Sequence, residues 1–122
     1  MEEICIARLA PADMLRLRLK LGELNMASSL EDIFWLPLPR KLFNEEQQQH
    51  QESCGPYFLA LEADRESGEL RLETLVRGQN TMHCVCIAPA EDEVVAYITT
   101  YLENILRDLR ITRLNRWEKC HA

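Results

Sequence analysis

The chain has 122 residues, of which 47% are hydrophobic and 28% charged, and a formal net charge of −6. Such a composition excludes a disordered or fibrous protein and predicts a single globular domain over residues 1–122. The negative charge disfavours nucleic acid and anionic membranes as partners, because it repels phosphate groups. No apolar run approaches the ~20 residues that cross a bilayer, and acidic residues follow Met1, so we expect a cytoplasmic protein.

The first part of the chain predicts a strand, a helix and an extended segment. Residues 3–9, EICIARL, alternate as a strand does. Residues 11–24 are ambiguous, because leucines alternate with basic residues as in a strand, whereas the absence of β-branched and aromatic residues from 13 to 21 favours a helix. We predict the helix, with Pro11 at its first position. The segment IFWLPLP, 33–39, carries two prolines and fits an edge strand.

A polar helix is predicted over residues 44–54, NEEQQQHQESC. Asn44 is a good helix cap, and Gln47 follows three residues later as in a capping box. Gly55 and Pro56 end the helix.

Two segments next to this helix predict an antiparallel hairpin. They are YFLALEA at 57–63 and ELRLETLV at 69–76, joined by a turn. The following segment, TMHCVCIA at 81–88, has apolar or soft side chains on both faces and predicts an interior strand.

A C-terminal amphipathic helix follows from an apolar stripe with spacings of three and four. Acidic residues lie at its start and arginines at its end, as the helix dipole favours. The stripe consists of Val94, Ile98, Tyr101, Leu102, Ile105 and Leu109.

The order of these elements predicts the fold class. Strands mostly joined by hairpins, with helices before and after them, favour an α+β fold. We predict a two-layer sandwich, in which a mostly antiparallel sheet carries its helices on one face. The outline is like that of the ferredoxin plait, a likeness of architecture that implies no function.

Four soft side chains form a candidate metal site. His50 and Cys54 lie four residues apart on the polar helix, and Cys84 and Cys86 lie two apart on the predicted strand, so each pair shares a face. Three thiolates and one imidazole are the ligand types of a closed tetrahedral zinc site.

Two other interpretations of these residues stay open. Met82, Cys84 and Cys86 can simply line the core as small hydrophobic side chains, in which case no cofactor is needed. Alternatively, His50 can activate Cys54 as the nucleophile of an enzyme. The five cysteines are an odd set, and we expect none of them to form disulfides.

The last residues of the chain suggest a surface for a protein partner. Arginines recur every three residues with apolar residues between them, a pattern that fits an acidic partner or a second copy of this chain. Trp35 in the proline-containing segment is a further apolar anchor. The candidate contact residues are Trp35, Arg113, Leu114, Arg116 and Trp117.

These features give three functional hypotheses. The first is a non-catalytic protein-interaction module, homodimeric or bound to another protein. The second is a structural zinc-binding domain that uses His50, Cys54, Cys84 and Cys86. The third is a cysteine-dependent enzyme that uses Cys54 and His50.

Overall fold

The computed structural model describes residues 3–6, 8–112 and 116–120, and this part of the chain forms three α-helices and seven strands. The helices are α1 (Pro11–Glu23), α2 (Glu45–Cys54) and α3 (Asp92–Asp108). The strands are β1 (Glu3–Ile6), β2 (Ile33–Pro37), β3 (Tyr57–Ala63), β4 (Leu70–Glu73), β5 (Leu75–Gly78), β6 (Ala88–Pro89) and β7 (Glu118–Lys119). The protein is therefore α+β, as predicted.

The strands form an antiparallel sheet in the order β6-β5-β3-β4-β1-β7, and β2 also pairs with β3. The predicted hairpin is confirmed, because β3 pairs with β4 through Leu61 and Leu72. Beyond Thr74 the register shifts by two residues, so that Tyr57 lies opposite Gly78 of β5. This irregularity is a bulge, which lets β5 leave the path of β4 and pair with β6. The two-layer sandwich and the ferredoxin-plait outline stay predictions.

The helix predicted at residues 11–24 is confirmed as α1. Its buried side chains are Met14, Leu17 and Leu21, which recur at helical spacing. Two of the leucines that produced the strand-like alternation, Leu15 and Leu19, are 54% and 62% exposed. Helix propensity therefore prevailed over the alternating pattern.

One hydrophobic cluster joins the buried side chains of all three helices to those of the sheet. Leu61 and Leu72, paired across β3 and β4, are fully buried in it. From α3 it receives Val94, Ile98 and Leu102, which belong to the predicted apolar stripe. Each buried leucine or isoleucine stabilises the fold by roughly 1.5–3 kcal/mol, so this cluster supplies most of the driving force for folding.

The interior strand predicted at residues 81–88 is wrong. Residues 82–87 form bends and turns, and regular pairing resumes only at Ala88 and Pro89. The backbone N–H of Ile87 donates to the carbonyl oxygen of Cys84 at 3.0 Å, which closes a turn. Met82 is 84% exposed and Val85 is 62% exposed, so the apolar pattern here does not mark a core segment.

Cys5 and Cys120 form a disulfide, which corrects the expectation that no cysteine would be paired. Cys5 lies in β1, and Cys120 directly follows β7, which pairs with β1. The backbone N–H of Cys120 also donates to the carbonyl oxygen of Glu3 at 3.2 Å. The pairing arises because the end of the chain returns to the first strand across 115 residues of sequence.

Among the described residues, each helix is too short or too polar to cross a bilayer.

Candidate metal centre

Helix α2 carries His50 and Cys54 on one face. Its start is fixed by the predicted capping box, in which the N–H of Gln47 donates to the Asn44 side chain at 2.8 Å. The N–H of Asn44 donates in return to the Gln47 side chain at 2.9 Å. The four-residue spacing then places the His50 ring and the Cys54 thiol one turn apart, at the C-terminal end of the helix.

Residues 79–87, here called the cysteine loop, carry Cys84 and Cys86 to the end of α2. The backbone N–H of Asn80 donates to the carbonyl oxygen of Cys54 at 3.1 Å, and the Asn80 side chain donates to the carbonyl oxygen of Gly55. Gly78, just before the loop, packs directly against the end of α2. A Cβ added to it would lie only 2.6 Å from the Cys54 carbonyl oxygen. The loop is thus fastened to the backbone that follows the helix.

A buried polar network holds the other end of the cysteine loop. The Gln47 side chain is 3% exposed and donates to the carbonyl oxygen of Cys86 at 3.1 Å. The Tyr57 hydroxyl donates to the carbonyl oxygen of Gln47 at 3.0 Å. Because buried polar groups are costly unless they are hydrogen-bonded, this network fixes the loop against α2. Sequence reasoning missed it, since the capping box identified Gln47 only as part of a helix start.

Three of the four predicted ligands converge at one point. One ring nitrogen of His50 and the sulfurs of Cys54 and Cys84 all lie within 4.8 Å of one another. The Cys84 sulfur is 3.4 Å from Nδ1 of His50. Ideal tetrahedral zinc geometry, with Zn–S of about 2.3 Å and Zn–N of about 2.0 Å, separates a sulfur and a nitrogen by roughly 3.6 Å. With an upper limit of 4.8 Å, the three separations exceed those of a tetrahedral zinc site by no more than about 1 Å.

Cys86 adjoins these three residues. Its side chain is fully buried, and its sulfur is not one of the three ligand atoms that converge within 4.8 Å. The backbone N–H of Cys86 also lies 3.4 Å from the Cys84 sulfur, as a donor. Although the predicted strand does not exist, a turn closed by the Ile87–Cys84 hydrogen bond holds Cys84 and Cys86 close to each other in the chain. His50, Cys54, Cys84 and Cys86 together are called the four-ligand cluster below.

The two loop cysteines differ in acidity. Hydrogen bonds from the Cys86 thiol and the Cys86 backbone N–H lower the pKa of the Cys84 thiol. Burial, followed by the hydrogen bond to Cys84, raises the pKa of the Cys86 thiol to about 12. Cys84 therefore ionises first. A bound metal cation overrides this difference, because a coordinating thiol loses its proton outright.

The structure also bears on the core-lining and enzyme interpretations of these residues. The alternative in which Met82, Cys84 and Cys86 all line the core is wrong for Met82, which is exposed, whereas Cys86 is buried. In the enzyme interpretation Cys54 is the nucleophile, but Cys54 is 8% exposed and the thiol at hydrogen-bonding distance from His50 is that of Cys84. The structure thus makes Cys84, rather than Cys54, the accessible thiol beside the imidazole.

Three of the predicted partner-binding residues, Trp35, Arg116 and Trp117, lie in the described part of the chain. Trp35 lies in β2 and stacks on Phe58 at 4.5 Å, and both line an open cavity of about 480 Å³ beside the cysteine loop. Trp117 is half-buried and packs against the core, whereas Arg116 is exposed. Arg113 and Leu114 lie outside the described residues.

The free edge predicted for residues 33–39 is partly covered. The backbone N–H of Trp35 donates to the carbonyl oxygen of Met26 at 2.7 Å, and that of Ser28 donates to the carbonyl oxygen of Ile33 at 3.2 Å. The backbone groups of this edge strand are thus partly used within the chain, which leaves fewer of them to pair with another strand.

No family model, no curated protein and no solved structure matches this chain. The geometry of the four-ligand cluster is therefore the main indication of function.

Proposed function

We propose that the protein is a structural zinc-binding domain, in which His50, Cys54, Cys84 and Cys86 hold one Zn²⁺ ion. The observation that carries this proposal is the convergence of a ring nitrogen and two sulfurs within 4.8 Å, from two segments that are 30 residues apart at Cys54 and Cys84. Cys86 is not among these converging atoms, but its backbone N–H lies 3.4 Å from the Cys84 sulfur, and we assign its thiol as the fourth ligand.

The chemistry of the donor set favours zinc. Thiolate and imidazole ligands suit soft and borderline ions, and a set of three sulfurs and one nitrogen is typical of tetrahedral structural zinc. Calcium and magnesium prefer oxygen ligands, which this group does not contain.

Four protein ligands leave no coordination position for a substrate, so the proposed role is structural. The ion would join the last turn of α2 to the cysteine loop. This loop has exposed residues at its tip and no regular pairing from 82 to 87, so a metal would supply the order that a sheet gives elsewhere. The bonds from Asn80 and Gln47 already hold the two segments in register for it.

The remaining hypotheses stay proposals with less support. A protein-interaction role, alone or as a homodimer, is supported by exposed apolar residues such as Leu15, Leu19 and Met82. A cysteine-dependent reaction is supported by the distance between Cys84 and His50. Packing of the helices on one sheet face is supported by the shared core cluster. For a cytoplasmic location, the three free thiols count in favour and the Cys5–Cys120 disulfide counts against.

The zinc proposal predicts stoichiometric metal in protein purified without added metal. We expect about one zinc ion per chain by elemental analysis, because a closed site of this type binds zinc tightly. His50→Gln and Cys84→Ser each remove one ligand from a half-buried position and should reduce the zinc content to less than about a tenth under dialysis against a weak chelator.

His83→Gln is the matched control for His50→Gln. His83 is exposed, lies on the cysteine loop next to Cys84 and is not among the three atoms that converge. The His83 variant should keep its zinc. Wild-type protein that folds without zinc and does not take it up would contradict the proposal.

A further inference from the structure

We propose that the four-ligand cluster is also a redox centre, in which a hydroperoxide oxidises Cys84 and Cys54 to a disulfide and the metal is released. This inference rests on the proposed zinc-binding function and adds its regulation. It starts from the unequal access of solvent to three thiols that share one site.

Access selects Cys84 as the thiol that meets the oxidant. Cys54 is 8% exposed and Cys86 is fully buried, whereas Cys84 is half-buried between the exposed residues His83 and Val85. A small peroxide can therefore approach the Cys84 sulfur from solvent without unfolding the core. Cysteine oxidation is selective in this way, because it follows exposure as well as thiolate character.

Geometry selects Cys54 as the second thiol. The sulfurs of Cys54 and Cys84 lie within 4.8 Å of each other. A disulfide needs a separation of about 2.05 Å, so the two sulfurs must approach by less than roughly 2.8 Å. Cys84 lies on a loop without regular strand pairing, which can make this movement.

Cys86 is the poorer partner for Cys84. The two residues belong to one turn, which is closed by the hydrogen bond from Ile87 to Cys84. The Gln47 side chain holds the Cys86 backbone from the other side, and the Cys86 thiol interacts with Tyr57. A bridge to Cys86 would have to move that fully buried side chain within the turn, whereas a bridge to Cys54 joins two sulfurs that already lie within 4.8 Å of each other.

The chemistry needs one hydroperoxide for each disulfide. The Cys84 sulfur attacks the outer peroxide oxygen, the O–O bond breaks, and hydroxide or alkoxide leaves, which converts Cys84 to a sulfenic acid. The Cys54 thiolate then attacks the Cys84 sulfur, the S–O bond breaks, and the oxygen leaves as hydroxide, which takes a proton from solvent to become water. The two thiols lose two electrons and the peroxide gains them. Only His50 and Cys86 remain as ligands, too few to hold the zinc.

The test is treatment of the zinc-loaded protein with hydrogen peroxide. We expect loss of at least about nine-tenths of the bound zinc, followed with a chromogenic chelator, together with a Cys54–Cys84 bridge in the peptide map. Dithiothreitol and added zinc should restore the reduced, zinc-loaded cluster. The Cys5–Cys120 bridge is present beforehand and serves as an internal standard for the mapping.

Variants test the order of events. In Cys54→Ser the sulfenic acid of Cys84 has no partner at this position, and it should be trapped by dimedone at Cys84. In the zinc-loaded His83→Gln control, release should match that of the wild type. Labelling at Cys86 instead of Cys84 would overturn the inference.

The failure of this inference differs from the failure of the proposed function. Zinc content before peroxide measures the function, and the bridge after peroxide measures the redox step. Protein that holds stoichiometric zinc but keeps it under peroxide, or loses it without a Cys54–Cys84 bridge, overturns the redox inference alone. Protein that holds no zinc before treatment contradicts both.

Discussion

Removal of the metal with a strong chelator is expected to lower the free energy of unfolding by about 4 kcal/mol, for protein held at free zinc about 1,000-fold above the dissociation constant. The reason is that zinc binds the folded arrangement of His50, Cys54 and the cysteine loop, which the unfolded chain does not offer. For a domain of this size the melting temperature should fall by roughly 15 °C. Thermal unfolding followed by circular dichroism measures this shift.

The variants define what the chelator acts on. His50→Gln should unfold at nearly the same temperature with and without chelator, close to the metal-free wild type. His83→Gln should show the full shift, because its side chain is exposed and is not among the converging atoms. An equal response of both variants would mean that the stabilising metal is bound elsewhere.

Loss of the Cys5–Cys120 disulfide is the second large effect, and we expect Cys120→Ser to lower the free energy of unfolding by about 4 kcal/mol. The bridge closes a loop of 115 residues, so the unfolded chain gains much conformational freedom when it is removed. The bridge also supports β7, which pairs with β1 through two residue pairs. Urea denaturation of wild type and variant measures the difference.

A reductant provides the control for the disulfide. Mild reduction should bring the stability of the wild type down to that of Cys120→Ser, and it should leave the variant unchanged. If the reductant does not alter the wild-type stability, the bridge contributes nothing and this part of the account is wrong. Zinc is kept present throughout, so that the free thiols of the four-ligand cluster stay bound.

The helices were predictable because local rules agreed with their tertiary environment. Asn44 and Gln47 formed the expected capping box, and the spacing of Val94, Ile98 and Leu102 produced the buried face of α3. In α1 the alternating leucines favoured a strand, whereas residue propensity favoured a helix. The buried side chains recur at helical spacing, so the propensity prevailed.

The cysteine loop was not predictable from its pattern. A segment that is apolar on both faces is compatible with a buried strand, but periodicity does not reveal where its backbone hydrogen bonds go. Here they go to α2: Asn80 donates to the carbonyl oxygen of Cys54, and Gln47 donates to that of Cys86. Met82 and Val85 are left in solvent as a result.

The disulfide was hidden for a different reason. Its partners lie at opposite ends of the chain, and no local pattern signals that β7 returns to β1. Residue type and an odd cysteine count favoured free thiols for all five, which is correct for Cys54, Cys84 and Cys86.

The candidate metal site was predictable in part. The ligand types and the helical spacing of His50 and Cys54 followed from the sequence, and so did the end of the helix at Gly55 and Pro56. What the sequence did not reveal is that the second pair of cysteines reaches the helix through a turn. The buried bonds of Gln47, Tyr57 and Asn80 hold this turn in place, and they depend on tertiary structure.

X-ray absorption at the zinc edge, on protein purified without added metal, tests the central claim most directly. The account predicts a four-coordinate shell of about three sulfurs at roughly 2.3 Å and one nitrogen at roughly 2.0 Å, from the cysteines and His50. In His50→Gln the nitrogen contribution should be replaced or the metal lost. A shell of oxygen and nitrogen without sulfur would contradict the claim that these side chains share one metal ion.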